Sequence, residues 1–131
     1  MNLSGSGASA KPGKPIEDKD YVKWIEKIPS VIDGAMDVQC RGDAAVYLND
    51  GHHIHTKGSG GGDYWRIPIT RRQHQLCHSK GNKYVESLHL IDFHEIVCKL
   101  LRSRFGYEIP AGDFELAARA MVKKAEENYG K

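Results

Sequence analysis

Long apolar runs are missing from this 131-residue chain. None approaches the roughly 18 residues that cross a bilayer, and the N-terminus has no apolar core of the kind a secretory signal carries. Cysteine is scarce: Cys40, Cys77 and Cys98 are odd in number, widely spaced and without a Cys-x-x-Cys pair. That argues against a disulfide framework and against a Cys-rich structural zinc site. The expectation is three reduced thiols in a cytoplasmic protein. A strong overall charge is also lacking, since the formal net charge is only +2. What remains is ordinary: 40% apolar and 27% charged residues match a soluble globular chain, and the length suits one domain with a modest core.

The distribution of charge says more than its sum. Between Gly51 and Lys83 six Lys or Arg stand against one acid, Asp63, so the rest of the chain is net negative. Positive charge clustered on one segment suits a polyanionic partner such as nucleic acid; a merely solvated basic surface is the plainer alternative. The same segment holds five of the seven histidines.

Residues 1–15 are Ser, Gly, Pro and Lys-rich and read as a disordered tail or linker, leaving 16–131 as one domain. Tyr21, Val22, Ile25 and Ile28 recur at helical spacing, with Asp18 as N-cap and Pro29 as terminator. Residues 30–43 read mostly as loop. Ala44 to Leu48 reads as a short strand before the turn signal Asn49-Asp50-Gly51. His52 to His55 is extended, a glycine loop from Lys57 to Gly62 follows, and Trp65 to Ile69 is a second strand. Thr70 caps a helix running to Ser79 that Gly81 closes. These elements make a motif core over 44–81. The part from 84 to 129 is helical. Asp92 and Glu95 have capping-box spacing ahead of an apolar face at Ile96, Val97, Leu100, Leu101 and Phe105. A last helix runs from Asp113 to about Asn128.

His74 and His78, four apart on the predicted helix, share one face and can share one metal ion. His52 and His53, adjacent in a strand, point to opposite sides, so one can bind metal while the other faces a substrate. A helical pair set against a third histidine gives a three-ligand site with open positions, as a catalytic centre keeps. Arg71 and Arg72 open the metal-bearing helix and are candidate phosphate contacts, with Lys57, Arg66 and Lys80 from the same basic stretch. Tyr64 and Trp65 either stack on a base or pack between strand and helix. His55 either touches phosphate or faces solvent, and His89 and His94 read as structural.

The stretch GHHIHTKGSGGGDYWRIPITRRQHQLCHSKG resembles the HNH (ββα-metal) endonuclease motif. More narrowly, it is similar to the phage-type, Ref-like (RecA-dependent) nucleases. The shared residues are His52-His53-Ile54, Gly58 to Gly62, Asp63-Tyr64-Trp65, Ile67-Pro68-Ile69, and His74 and His78 before Gly81. The segment 20–29 is similar to the helix that precedes the motif in that family. The resemblance implies an α+β fold in which a hairpin and helix cradle one metal within flanking helices. It implies hydrolysis of DNA phosphodiester bonds, by nicking or double-strand cutting, with Mg²⁺ or Mn²⁺ as working ion. An all-histidine set also accepts Zn²⁺ or Ni²⁺. His53 is then the general base, a role a neutral imidazole fits near pH 7, and His52, His74 and His78 are the metal ligands. Asp63 either orients the His53 ring or caps its own loop. The expected partners are DNA and a recombination, phage or host protein, with no membrane, in a bacterial or phage-infected cytoplasm.

Two departures stand out. The central Asn of the motif has no counterpart, with Trp65 nearest its place and Asp63 just before. Ser30 follows Ile28-Pro29 where many relatives carry a zinc-binding cysteine. The rivals to catalysis are a zinc-stabilised DNA-binding module and a regulatory protein on the same scaffold.

Overall fold

The computed structural model describes residues 15–55 and 61–130. Lys57 and Gly58 to Gly60 lie outside the described residues, as does all of the expected tail except Pro15. Helix α1 spans Lys19–Glu26, and the Asp18 side chain caps it by accepting from the Tyr21 amide. Its apolar side, led by the fully buried Tyr21 and Ile25, turns inward. Two antiparallel strand pairs follow. β1 (Val38–Arg41) pairs with β2 (Ala44–Tyr47), and β3 (Asp50–His53) pairs with β4 (Arg66–Ile69). A 3₁₀ turn, Asp63–Trp65, leads into β4. Then come α2 (Arg71–Lys80), α3 (Asn82–His89), α4 (Phe93–Phe105) and α5 (Phe114–Tyr129).

The architecture is mixed α and β, as expected, but two local readings need correction. Residues 30–43 are not simply loop, because Val38–Arg41 forms β1. That strand is almost wholly exposed, so it shows none of the apolar alternation by which strands are recognised. Asn49-Asp50-Gly51 is not a hairpin turn either. Asn49 is buried, and its side chain serves three backbone groups: Nδ2 donates to the carbonyls of Ile28 (2.9 Å) and Ala35 (3.0 Å), and Oδ1 accepts from Asp37 N–H at 3.1 Å. The demand of those buried groups for partners draws Asn49 inward, and Asp50 starts β3 directly.

The β3–β4 ladder determines where the histidines point. Its register sets His52 opposite Ile67 and His53 opposite Arg66. Side chains alternate across a strand, so Asp50, His52, Ile67 and Ile69 share one face, toward α2 and α4. Gly51, His53 and Arg66 share the other, toward α1. Both strands are edges, which is why Pro68 is tolerated within β4.

Helix α2 starts with a full capping box: Thr70 Oγ1 accepts from Gln73 N–H, and the Gln73 side chain accepts from Thr70 N–H. The Asp37 carboxylate adds a bond from Arg71 N–H at 2.6 Å, well placed at the positive end of a helix. Ser30, in the place of the missing cysteine, donates to Gln73 Oε1 at 2.6 Å. A hydrogen bond thus ties the segment after α1 to α2. Asp92 and Asp113 cap α4 and α5 as their spacing predicts. The core lies where these two helices meet α1 and β4, and its fully buried members include Tyr64, Ile67, Ile69, Val97 and Leu101. Tyr64 and Trp65 are both interior residues, which settles the base-stacking alternative against them.

The segment carrying the glycine loop is fastened on either side. Ile54 N–H donates to Trp65 C=O at 3.0 Å, and Asp63 N–H donates to Ile16 C=O at 3.0 Å. Gly62 is required there, since a Cβ would come within 2.7 Å of the Ile16 carbonyl oxygen. All three cysteines are free thiols, with Cys77 and Cys98 buried. No helix among the described residues is long and apolar enough to cross a membrane.

Candidate metal centre

Three of the histidines singled out from sequence converge. One ring nitrogen from each of His52, His74 and His78 lies within 4.8 Å of the other two. β3 supplies the first and α2 the other two, one helical turn apart. The His74 and His78 rings face each other with Nε2 atoms 3.0 Å apart. Two ligands at about 2.0–2.1 Å from a shared ion stand roughly this far apart when adjacent. The trio grades from buried His52 through half-buried His74 to exposed His78, so the site opens to solvent on one side.

The far nitrogens are held in a way that steers the near ones. Asp50 Oδ2 accepts from His74 Nδ1 at 2.9 Å, which places the proton on Nδ1 and leaves the Nε2 lone pair facing His78. Arg71 grips the same carboxylate, with Nε 2.6 Å from Oδ2. Burial pushes Asp50 upward, but the Arg71 and His74 contacts outweigh it and hold the carboxyl below its ordinary range. On the other side, Asn82 Nδ2 donates to the Ile54 carbonyl at 3.1 Å, which fixes the amide with Oδ1 toward His52. Asn82 Oδ1 then accepts from His52 Nε2 at 2.9 Å, and the lone pair must reside on His52 Nδ1. That Nδ1 is buried and has no hydrogen-bond partner. An orphaned buried acceptor needs an explanation, and a cation beside it provides one. Burial also pushes the His52 imidazole down to about 4, despite the Asn82 bond. A ligand histidine must be neutral, and this one is. The donor set therefore fits a divalent ion.

His53 sits on the opposite face, as alternation requires. Its Nε2 is 4.0 Å from Asp63 Oδ1. Asp63 is buried and also serves the scaffold, accepting from Arg66 Nε at 3.0 Å and from Asp18 N–H at 2.8 Å. Asp63 thus bonds Asp18 and Arg66, and its approach to the His53 ring is longer than a hydrogen bond. The Trp65 carbonyl receives Ile54 N–H. A cavity of about 490 Å³ opens beside His53 and Asp63, walled by Ile16, Lys19, Val22 and Lys23.

A second cavity, about 440 Å³, runs along Asp50, His74 and His78. Glu26 and Arg66 line both cavities. Gly51 lies between them, and a Cβ there would come 3.1 Å from Arg66 Cδ. The missing side chain at Gly51 lets the Arg66 side chain pack against the β3 backbone. Arg66 is not a free surface cation: its Nη1 donates to the Gly51 carbonyl at 2.7 Å and its Nε to Asp63. Arg72 and Lys80 are exposed on α2, and Arg71 is exposed though paired with Asp50.

Asp50, Asn82, Lys19 and Lys23 escaped the sequence reading. Asp50 carried a signal, because residues two apart on a strand share a face, which sets it beside His52. Asn82 follows the helix-closing Gly81, whose φ of +94° brings the chain back toward β3, and no spacing rule announces that. No known protein family, curated protein or solved structure matches the chain.

Proposed function

We propose that this protein is a metal-dependent DNA endonuclease of the HNH type, hydrolysing phosphodiester bonds with one divalent ion and a histidine base. The observation that carries the reading is the convergence of His52, His74 and His78, with Asn82 and Asp50 steering the lone pairs of the first two, and His53 next in sequence on the opposite face of β3. A divalent ion bound there, Mg²⁺ or Mn²⁺ in function, supplies positive charge to the phosphate and to the departing 3′ oxygen. The chain supplies the rest. His53 takes the proton of the attacking water. The new P–O bond forms as the bond to the 3′ oxygen breaks. Arg66, held by Asp63 and Gly51, offers its charge to both cavities. Arg71, Arg72 and Lys80 on α2 contact flanking phosphates, which positions DNA without reading its sequence.

Plasmid nicking in Mn²⁺ or Mg²⁺ tests this. His53→Ala lowers the nicking rate by about 10²-fold or more, the usual contribution of a general base, while the metal affinity and the circular dichroism spectrum stay as in wild type. Undiminished nicking in the variant would overturn the base assignment. DNA affinity with no nicking in any metal, and unfolding on chelation, would identify a zinc-stabilised binding module instead.

A further inference from the structure

A second pair of histidines lies apart from the first centre. His55, just beyond β3, and His94, in the first turn of α4, bring their Nε2 atoms to 3.0 Å. The two residues are 39 positions apart in the chain, so the contact is made by the fold and not by helical periodicity. The separation equals that between His74 and His78. A carboxylate stands near this pair too, bonded to the His94 backbone amide and not to its ring. Asp92 Oδ1 lies 3.9 Å from His94 Nδ1, on the ring's far side, and Asp92 is itself fixed as the N-cap of α4. The indole of Trp65 stands edge-on to His55, ring centroids 4.4 Å apart, and walls one side. On the other side His94 borders a cavity of about 620 Å³ whose charged lining is five carboxylates, Glu86, Asp92, Glu95, Asp113 and Glu115, against Lys83 alone.

We infer that His55 and His94 form a second metal site, for a zinc-class transition-metal dication, distinct from the His52, His74 and His78 centre. Imidazole pairs suit such ions better than Mg²⁺ or Ca²⁺, which prefer oxygen. The two rings supply two positions and leave the others to solvent, within the negative field of the neighbouring carboxylates. Two protein ligands bind more weakly than three, so this ion loads second. Its effect is structural: it clips the end of the histidine-bearing strand to α4. A single N–H···N hydrogen bond has the same 3.0 Å length, and the experiment separates a bridging ion from a bridging proton.

Tag-free, chelator-stripped protein is titrated with Zn²⁺ by calorimetry. Wild type binds two ions per chain. His94→Gln and His55→Gln, which keep a hydrogen-bonding side chain, each bind one. The double variant His74→Ala/His78→Ala, altered only on α2, also binds one, and adding His94→Gln to it abolishes binding. Zn²⁺ raises the thermal midpoint of the double variant, by linkage to the folded state, and leaves the triple variant unmoved. A single ion in wild type that His94→Gln does not affect, or a double variant that binds none, overturns the proposal. The nuclease reading fails separately: one ion lost with His94→Gln but indifferent to His74→Ala/His78→Ala would remove the first centre and keep the second. Nicking is not the readout, and His94→Gln leaves it within about twofold.

Discussion

At the scale of single residues, the site depends on atoms one step removed from the ligands. Asn82 holds the proton of His52 on Nε2, and Asp50 holds that of His74 on Nδ1. Loss of such partners typically lowers metal affinity about 10–100-fold. Asn82→Ala is therefore expected to weaken metal binding by that factor while the fold, read by circular dichroism, is kept. Asn82→Asp retains an acceptor for His52 Nε2–H and restores most of the affinity. An Asn82→Ala variant that binds metal as tightly as wild type would show that the ring orientation is set by packing alone. The histidines were legible in the sequence because their chemistry is unusual and their spacing regular. Asn82 was not, because its place beside His52 is set by where the chain turns at Gly81, whereas Asp50 carried only its two-residue spacing from His52. His55 shows the same limit: it packs on Trp65 and meets His94, whereas adjacency to the motif suggested only phosphate or solvent.

At the scale of elements, helices that carry a side-chain cap were read to within a residue or two. α1, α2, α4 and α5 each begin after Asp or Thr, and each cap bonds the amides its spacing predicts. α3 has no side-chain cap and only one buried residue, Val85, so neither a start signal nor a clear apolar stripe marked its bounds. β1 escaped for a similar reason, since an exposed two-stranded pair displays no buried face. The cap of α2 has the greatest functional weight, because that helix holds two ligands. Thr70 is buried and makes both halves of the capping box with Gln73. Thr70→Ala is expected to cost about 1 kcal/mol, seen as a lower midpoint in urea at unchanged m-value. A cost near zero would mean that the Asp37 bond to Arg71 N–H is enough to start the helix.

At the scale of the whole molecule, protons and salt act on the assembled charges. In metal-free protein His52 is held at about 4, by burial first, among His74, His78 and Asp50. His55 is also held below its ordinary value, by burial first and then by His94 and Arg119, against Glu115. Below about pH 6.5 the unfolded chain protonates these groups and the folded chain does not. Their stabilising effect is thus complete above pH 6.5 and declines as pH falls toward 4, by roughly 2–3 kcal/mol for His52 if the shift is realised in full. Denaturant titrations of chelator-treated protein between pH 7.5 and 4.5 check this, and a flat profile would contradict it. DNA binding should weaken with salt in proportion to the phosphates contacted, and Arg72→Ala should reduce the log–log slope by about 0.9. Equal slopes for wild type and variant would place Arg72 off the DNA path.

The fastening on both sides of the glycine-rich segment has an evolutionary consequence. Ile54 is bonded to Trp65, and Asp63 to Ile16, so the chain is tied to the body of the fold at residues 54 and 63. Insertions between two such fixed points cost little, since each doubling of loop length in general adds only about 0.6 kcal/mol of closure entropy. On the proposed nuclease reading, a lineage can thus graft new recognition sequence beside His53, where loops commonly acquire specificity, without rebuilding the metal centre. Gly62 has no such freedom, because the Ile16 carbonyl leaves no space for a side chain.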